Sequence, residues 1–405
     1  MTLEECIDYA IVNNYNRQSV KLNESAREDL YDQSRAERLP GVSASVSETL
    51  SHSKENSSSW TGNYGLSANM TLWQGGSLSE SIRQSRLQME QTGYRTTQYD
   101  NELTIQILQA FLTVLGNEEL LKYQETVLEA SEEQVRQGRE HYRLGQILES
   151  DYLLFESQYA SDQQNIRETR ISRDNSLLTL KGLLSFDTSV PFDVIAPDTS
   201  ALRSMLYLPS EGYVLETALD NLPDLEISRY DVEIAQAGLK ISRSGFYPTV
   251  SLGGSIGTGH VNTFSGYADQ LNDRLNEQIG VTVSIPIFNK NKNRSNVTQS
   301  KIALQQAELS QRQTELELKQ TIIQEYRNTL NAAGSYRTSE IKQNAYWKSF
   351  ETYRNQFQYE AITAVELLQQ QNNYISAMNE YIQNKYGFLL QRKILDVYMG
   401  ERITM

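Results

Sequence analysis

Residue types that commonly carry chemistry are few in this sequence and do not form a recognisable site. It has three histidines and one cysteine among 405 residues, so an internal disulfide and a thiolate metal cluster are excluded. His52, His141 and His260 do not form a cluster with metal-ligand spacing, and we expect His52 and His260 to be solvated loop residues, with metal binding in those loops as the less favoured alternative. The glycine-rich stretch LGGSIGTG, residues 252–259, lies in an alternating strand pattern without a following helix, unlike a phosphate-binding loop. We therefore predict no catalytic, cofactor-binding or metal-binding residues and no enzymatic activity.

Composition and charge exclude further classes. The net charge is −14 and no basic stripe could neutralise phosphates, so we expect no nucleic-acid partner. An apolar fraction of 39% with seven prolines suits long, surface-rich helices better than one compact core. No apolar run is long enough for a transmembrane helix. The opening MTLEECIDYAIVNN reads as an amphipathic helix rather than a signal peptide, so we expect a cytosolic protein or one whose leader has been removed.

The two halves of the chain resemble each other in residues and in spacing. Gly65 in YGL and Gly280 in IGV are 215 residues apart, and Trp73 and Phe288 keep the same offset. A constant offset over about a hundred residues indicates one rigid element used twice. We predict two structural repeats, residues 1–185 and 211–405, joined by a linker or equatorial segment at 186–210.

Each repeat is predicted to contain a helix, two strands, a very long helix and a returning helix. Prolines end the first helices, and the later helices show apolar residues at three- and four-residue steps in proline-free runs. The predicted helices span residues 3–38, 77–142, 149–185, 211–244, 294–357 and 363–400. Apolar stripes that recur near 3.5 residues favour antiparallel coiled-coil packing, in either a tube wall or a solid rod.

The strands, predicted at about 42–51, 62–73, 249–258 and 278–288, separate apolar from small polar side chains. In the last of them, Ile279, Val281 and Val283 point one way, and the intervening residues are glycine, threonine and serine. Segments of about ten alternating residues that end in an aromatic are typical of membrane β-barrels. Trp73 and Phe288 would then form part of an aromatic membrane girdle. Two β-hairpins packed on a soluble core are the alternative interpretation.

Four strands per chain cannot close a barrel, and an open sheet edge cannot face lipid. Roughly eight strands are needed before even a filled barrel is possible. The chain must therefore contribute its strands to a barrel shared by several copies. Three copies would supply twelve strands, enough for a pore.

This organisation resembles the TolC family of outer-membrane efflux channels over nearly the whole chain. The opening TLEECIDYAIVNN, the strands that follow the prolines, and HYRLGQILESDYLLFESQ with Tyr142 and Gly145 at a helical tip carry the resemblance. It implies a mainly α protein with a membrane β part, forming a homotrimer with a 12-stranded β-barrel and an α-helical barrel. The protein would lie in the outer membrane of a Gram-negative bacterium, in contact with its lipid, and extend into the periplasm. Its partners would be a periplasmic adaptor (membrane fusion) protein and an inner-membrane pump, with no cofactor.

The resemblance also assigns residues at the two helical tips. It places Asp151, Glu366 and Gln369 at a gated, cation-selective entrance, with Gln369 departing from the aspartate that the family often carries there. The adaptor-docking residues that it implies are Tyr142, Arg143, Leu144, Gly145, Phe357 and Glu360. Phe357 and Glu360 replace the tyrosine and glycine of the pattern, so the second tip is the weaker docking candidate. An ordinary solvated helix position is the alternative for Glu366.

Three functions follow from these patterns. The favoured hypothesis is the outer-membrane exit duct of a tripartite export system. The alternatives are a soluble coiled-coil scaffold or adaptor, and a surface-binding protein that uses the barrel as an anchor. The sequence leaves the exported substrate open.

Overall fold

The computed structural model describes residues 1–52, 58–197, 202–261, 266–359, 361–401 and 403. Most of these residues are helical, and four strands form one sheet. No helix in the described ranges has a stretch long and apolar enough to cross a membrane.

The first predicted helix is interrupted, because Asn14 separates α1 (Leu3–Asn13) from α2 (Tyr15–Ala36). Asn14 has an extended backbone with ψ of 123°, and its buried side-chain amide donates to the carbonyl oxygen of Leu183 at 2.7 Å. The prediction of one helix over residues 3–38 is therefore wrong. The break depends on a contact with a residue distant in sequence, so no local glycine or proline announces it.

The corresponding helix in the second half is also divided, into α6 (Glu211–Asn221) and α7 (Pro223–Ser244). Leu222 between them is extended, with ψ of 130°. Proline disfavours helix in the residue before it and suits the first helical position itself. Pro223 was therefore a local signal for this break, and the prediction of one helix over residues 211–244 missed it.

The long helices lie close to their predicted positions. They are α3 (Ser77–Arg143), α4 (Glu149–Leu184), α9 (Lys292–Gln358) and α10 (Ala364–Tyr398), and α3 and α9 have 67 residues each. Their ends differ from the predicted ones by no more than two residues. The agreement follows from the absence of proline inside these segments and from strong turn signals between them.

Part of the segment predicted as a linker packs against the chain's first residue. The amino group of Met1 donates to the carbonyl oxygen of Asp193 at 2.9 Å, and Ile195 donates its N–H to the carbonyl oxygen of Met1 at 2.9 Å. Val194 and Leu202 are buried, the latter in the short helix α5 (Leu202–Met205). The segment is thus held by core and backbone contacts.

The sheet contains β1 (Gly41–Ser51), β2 (Ser59–Gln74), β3 (Thr249–Val261) and β4 (Asn276–Ser284), in that order. Every neighbouring pair is antiparallel, and the β2–β3 pair joins the two halves of the chain. A short helix, α8 (Tyr267–Asp273), precedes β4. The prediction that the last strand reaches residue 288 is wrong, because Pro286 has no N–H to donate to a strand ladder.

The chain divides into two compact units. Unit 1 comprises Met1–Lys21, Thr96–Pro223 and Glu315–Met405, and unit 2 comprises Leu22–Arg95 and Asp224–Thr314. Each unit takes segments from both halves of the sequence, so the units do not follow the predicted repeats. The division of the sequence into repeats at residues 185 and 211 stays a prediction.

The main hydrophobic core lies in unit 1, where α3, α9 and α10 contribute large side chains. Phe111 and Phe388 are fully buried there, and the ring of Tyr336 stacks on Phe388 with centroids 5.8 Å apart. Cys6 of α1 belongs to the same core, where burial raises the pKa of its thiol to about 11. A thiol so placed is a packing group and stays protonated at neutral pH.

Unit 2 contains the sheet and helix contacts of its own. The side chain of Gln91 on α3 donates to Asp231 on α7 at 2.6 Å. The rings of Tyr94 and Tyr230 on the same two helices lie 5.5 Å apart.

Candidate functional site

The turn between α3 and α4 forms the first helical tip. Gly145 has φ of +75°, and its N–H donates to the carbonyl oxygen of Tyr142 at 2.9 Å. This left-handed ending is the usual place for glycine after a helix. The ring of Tyr142 stacks on that of Tyr152, with centroids 6.0 Å apart, and Arg143 and Leu144 are exposed. The tip therefore presents aromatic, apolar and cationic side chains to solvent, and their docking role stays a prediction.

The second tip, between α9 and α10, has a different character. Phe357 is half-buried and packs edge-on against Phe155, with ring centroids 5.7 Å apart. It borders an apolar cluster that includes Phe350 and Leu367. Glu360, the other residue proposed for docking at this tip, lies outside the described residues. The placement of Phe357 therefore gives it a packing role whatever else it contacts.

The three residues predicted for the entrance lie near the starts of α4 and α10. Asp151 is half-buried in the first turn of α4, where the helix dipole favours negative charge. Glu366 and Gln369 are exposed on α10. Their selectivity role stays a prediction.

Glu366 has a local structural partner that the sequence analysis missed. Its carboxylate accepts from the backbone N–H of Thr363 at 2.9 Å and from the Thr363 hydroxyl at 3.0 Å, while Thr363 Oγ1 accepts from the N–H of Glu366 at 3.3 Å. The backbone hydrogen bond, with the hydroxyl hydrogen bond, lowers the pKa of Glu366. This is a capping box, and the stretch TAVE carried its Thr-x-x-Glu signature.

A second missed feature is a buried polar network that connects α3, α4 and α10. The Ser131 hydroxyl donates to the carboxylate of Asp162, which also accepts from Gln158 at 2.9 Å. From α10, the side-chain amide of Gln371 donates to Ser131 at 3.3 Å, and Gln134 donates to Gln371 at 2.9 Å. Asp162 is only 3% exposed, and this burial raises the pKa of its carboxyl. Single polar residues in amphipathic helices give no sequence signal of burial, so the network required the structure.

A charged contact also joins α3 to α10. The amino group of Lys385 and the hydroxyl of Tyr386 both donate to Glu119, at 2.7 Å each. The Lys385 side chain is 12% exposed, so this pair is more sheltered than a surface ion pair. It restrains the two long helices in addition to their apolar contacts.

The apolar side chains of the sheet share one face, as predicted from their alternation. In the antiparallel register they lie opposite one another on neighbouring strands and are mostly exposed. They are Val42, Ala44, Val46, Leu66, Ala68, Met70, Leu252, Ile256, Ile279, Val281 and Val283. A large exposed apolar face marks a surface that another molecule or a lipid covers.

Trp73 reaches this face through a β-bulge. The register between β2 and β3 shifts between Thr71 and Trp73, so that Thr71 pairs with Ser251 and Trp73 with Val250. Simple alternation would have placed Trp73 on the face opposite to Leu72, but the extra residue moves it to the apolar side. Its girdle role stays a prediction.

Phe288 lies beyond the end of β4 and is 79% exposed. It therefore belongs to the segment that leads into α9 rather than to the sheet. Its proposed place in the girdle stays a prediction.

One histidine contradicts the sequence analysis. His260 lies within β3 and is almost fully buried, so the expectation of a solvated loop residue is wrong. The strand continues beyond the predicted end at residue 258, and the facing Gly62 leaves space for the imidazole. His52, by contrast, is exposed, and its Nδ1 lies 3.2 Å from the hydroxyl of Ser58.

Comparison with known proteins gives this architecture a family. The family model for outer membrane efflux proteins matches residues 6–185 and 214–401. The chain belongs to the outer membrane efflux protein family. The matched residues cover both halves, and the predicted resemblance to TolC-like channels is confirmed.

Two curated relatives are similar to parts of the chain. The outer membrane efflux protein BepC of Brucella suis is 24% identical over 247 residues, which cover 61% of this chain and 52% of BepC. The alkaline protease secretion protein AprF of Pseudomonas aeruginosa is 21% identical over 303 residues, which cover 74% of this chain and 61% of AprF. The matches thus span about half to three-fifths of the length of these two relatives.

A solved structure supports the fold independently. The Campylobacter jejuni CmeC outer membrane channel superposes with a TM-score of 0.79 at 17% identity, covering 98% of this chain and 85% of that chain. At this identity the similarity shows the fold alone. The chain therefore shares its fold with an outer membrane channel.

Proposed function

We propose that the chain is one subunit of an outer-membrane exit duct in a tripartite export system. The observation that carries this proposal is the sheet, because it combines an exposed apolar face with two outer edges. Within the described residues, β1 and β4 each have a strand partner on one side only. An open edge cannot lie in lipid, since its backbone groups would have no hydrogen-bond partner. Pairing β1 of one copy with β4 of the next satisfies both edges at once.

Three copies satisfy the geometric requirements of such a barrel. The described residues of each chain supply four strands, so a homotrimer contributes twelve. Twelve strands exceed the roughly eight that a filled barrel needs and so leave room for a pore. The apolar face that includes Val42 and Val281 would then lie against outer-membrane lipid, with Trp73 and Phe288 in one aromatic girdle.

The helices of unit 1 supply the periplasmic part of the proposal. Three copies of the α3–α4 and α9–α10 hairpins would pack as an α-helical barrel. The exposed Glu366 would form a ring of three carboxylates at the entrance, with Asp151 and Gln369 near it. Rings of carboxylates in narrow pores attract cations and repel anions.

Family membership supports a proposal for the partners of the complex. A periplasmic adaptor would contact the tips through Tyr142, Arg143, Leu144 and Gly145, with Phe357 and Glu360 at the second tip. An inner-membrane pump would drive export through that adaptor. The relatives' names include both efflux and protease secretion, so the cargo class stays open. We assign no catalytic function and no cofactor to this duct.

The test is the mass of the detergent-solubilised protein, measured by light scattering with correction for bound detergent. We expect a detergent-dependent trimer that forms cation-selective pores in planar bilayers. A monomer that is soluble without detergent would leave both sheet edges unpaired and overturn the proposal in favour of a coiled-coil scaffold. If the trimer never conducts, and if cells that lack the protein still export normally, the protein is a surface-binding protein instead.

A further inference from the structure

His260 in β3 has an environment that channel formation does not explain. The residue is 4% exposed, and within the described part of the chain neither Nδ1 nor Nε2 has a hydrogen-bond partner. Buried polar atoms in folded proteins nearly always have partners, so two bare nitrogens in one buried ring call for an explanation.

The cross-strand register directs a carboxylate toward the same position. Glu48 of β1 and His260 of β3 both face Gly62 of β2, one from each side. A β-carbon built on Gly62 would lie 2.5 Å from His260 Nδ1 and 2.6 Å from Glu48 Oε1. Both side chains therefore converge over the glycine, which is the one residue type that leaves them this space.

Two phenol oxygens complete the cluster. The Tyr64 hydroxyl donates to Glu48 Oε1, and the Tyr267 hydroxyl of α8 donates to the Tyr64 hydroxyl at 3.0 Å. Glu48 Oε2 lies 3.8 Å from Nε2 of His260, whose ring centroid is 4.8 Å from that of Tyr267. Four donor groups, from β1, β2, β3 and α8, thus lie in one cluster, with the three oxygen donors hydrogen-bonded in series and the imidazole beside them. Ligands of a single ion at bond lengths near 2 Å stand about 3 Å apart, which matches the 3.0 Å between the Tyr64 and Tyr267 hydroxyl oxygens.

We propose that Glu48, Tyr64, His260 and Tyr267 bind a transition-metal ion, with ferric iron as the matching class. Imidazole and carboxylate are ordinary ligands for such ions, and the absence of thiolate disfavours soft ions such as Cu(I). Two phenolates and one carboxylate supply three negative charges, which equal the charge of a trivalent ion. Binding releases the two phenol protons to solvent, so the apparent affinity should rise with pH.

The proposed metal site is open to solvent. Tyr267 is 53% exposed, and the Glu48 side chain is 36% exposed, so an ion can reach the oxygen donors from solvent. The described histidines, cysteines and acids contain no group of three that could hold a metal, so the tyrosines are essential to this inference. The proposed metal site lies at the loop end of the sheet, and the inference does not depend on transport activity.

The experiment is a titration of the full-length protein in detergent with ferric nitrilotriacetate. We expect one iron per chain and a visible phenolate-to-iron charge-transfer band. Tyr64→Phe and Tyr267→Phe each remove one oxygen and keep the ring, so each should weaken binding at least about tenfold, as loss of a metal contact commonly does. His52→Gln is the matched control, because it removes an exposed histidine outside the cluster, and it should bind like the unaltered protein.

Three results would overturn the proposal. One is the absence of the charge-transfer band in the unaltered protein, a readout that does not depend on whether any variant folds. Another is a band of full intensity in the Tyr64→Phe/Tyr267→Phe double variant. Equal loss of iron from His52→Gln and from the tyrosine variants would likewise show that the ion binds elsewhere.

Discussion

Thr363 and Glu366 hold each other at the start of α10 through two reciprocal backbone contacts, at 2.9 and 3.3 Å. The same carboxylate that we propose for the entrance ring therefore also caps a helix. Charge and capping can be separated experimentally, because glutamine serves in a capping box as well as glutamate does.

Glu366→Gln should reduce the cation preference of the channel and leave α10 folded. The substitution removes the negative charge but keeps an oxygen that can accept from Thr363. The reversal potential of single channels under a salt gradient reports the preference. Glu211→Gln, another first-turn acid on an exposed helix start, is the control. An unchanged reversal potential in Glu366→Gln would remove this residue from selectivity.

Thr363→Ala should destabilise the start of α10 by about 0.5–2 kcal/mol, since it removes the hydroxyl that accepts from the Glu366 N–H. The contribution of Glu366 to the stability of the helix start should also be lost in acid, because the pKa of Glu366 is lowered in the folded state. Its contribution is complete above the unfolded pKa of about 4.3 and disappears as pH falls through the lower folded value. Amide exchange at the start of α10, corrected for intrinsic rates, measures both effects. Amide protection that is the same at pH 3 and pH 7 would contradict a capping role for the Glu366 carboxylate.

Asp162 should give the opposite pH dependence. Because burial raises its folded pKa, the folded state takes up a proton before the unfolded state does as pH falls. The free energy of unfolding should therefore increase as pH falls through the raised value toward the unfolded one, about 3.9, and decrease as pH rises. Asp162→Ala should flatten this dependence and cost about 1–3 kcal/mol by leaving Ser131 without its acceptor.

Urea unfolding followed by circular dichroism at several pH values tests this expectation. Asp174→Ala, which removes an exposed carboxylate from the same helix, is the control. If Asp162→Ala keeps the slope of the unaltered protein, another group causes it.

Gly145→Ala and Gly182→Ala should change the free energy of unfolding in opposite directions. A β-carbon meets nothing within 4 Å at either position, so packing does not distinguish them. Gly145 has φ of +75°, where an alanine is strained by about 1–2 kcal/mol, whereas Gly182 lies in the helix α4, where alanine should stabilise by roughly 0.4–1 kcal/mol. The two midpoints of urea unfolding measure the difference. Equal shifts would mean that the left-handed turn at the tip is not maintained in solution.

Val281→Lys and Thr282→Lys test which face of the sheet meets lipid. The two residues are neighbours in β4 but lie on opposite faces, with Val281 among the apolar side chains. Lysine on the lipid face should cost about 2–4 kcal/mol near the bilayer midplane. We therefore expect poor membrane assembly of Val281→Lys, measured as heat-resistant trimer in outer-membrane fractions, and near-normal assembly of Thr282→Lys. The reverse order would assign the apolar face to the interior.

Much of the architecture could be predicted from local sequence. The long helices follow from proline-free runs with helical spacing, so the starts of α3 and α9 were found within two residues. Strand alternation correctly placed Leu66 and Val281 on the apolar faces of their strands, because side chains alternate in any strand whatever its partner. Gly145 was recognised within a turn pattern whose backbone requirement is local. The Thr-x-x-Glu cap at Thr363 is equally local, because its signature lies within four consecutive residues.

Other features depend on contacts between distant residues, and only the tertiary structure decided them. Asn14 interrupts a helix because it bonds to Leu183, and Trp73 changes face because a bulge shifts its pairing with β3. Asp162 is buried in a hydrogen-bond network with Ser131 of α3, which Gln371 of α10 also joins, although its immediate sequence resembles that of an exposed helix. His260 lies against Glu48 because both strands place them over Gly62. Propensity and periodicity act within a few residues, so the sequence by itself determined the helices and strands. Register and burial arise from packing between those helices and strands, so only the tertiary structure determined where the chemically active side chains meet.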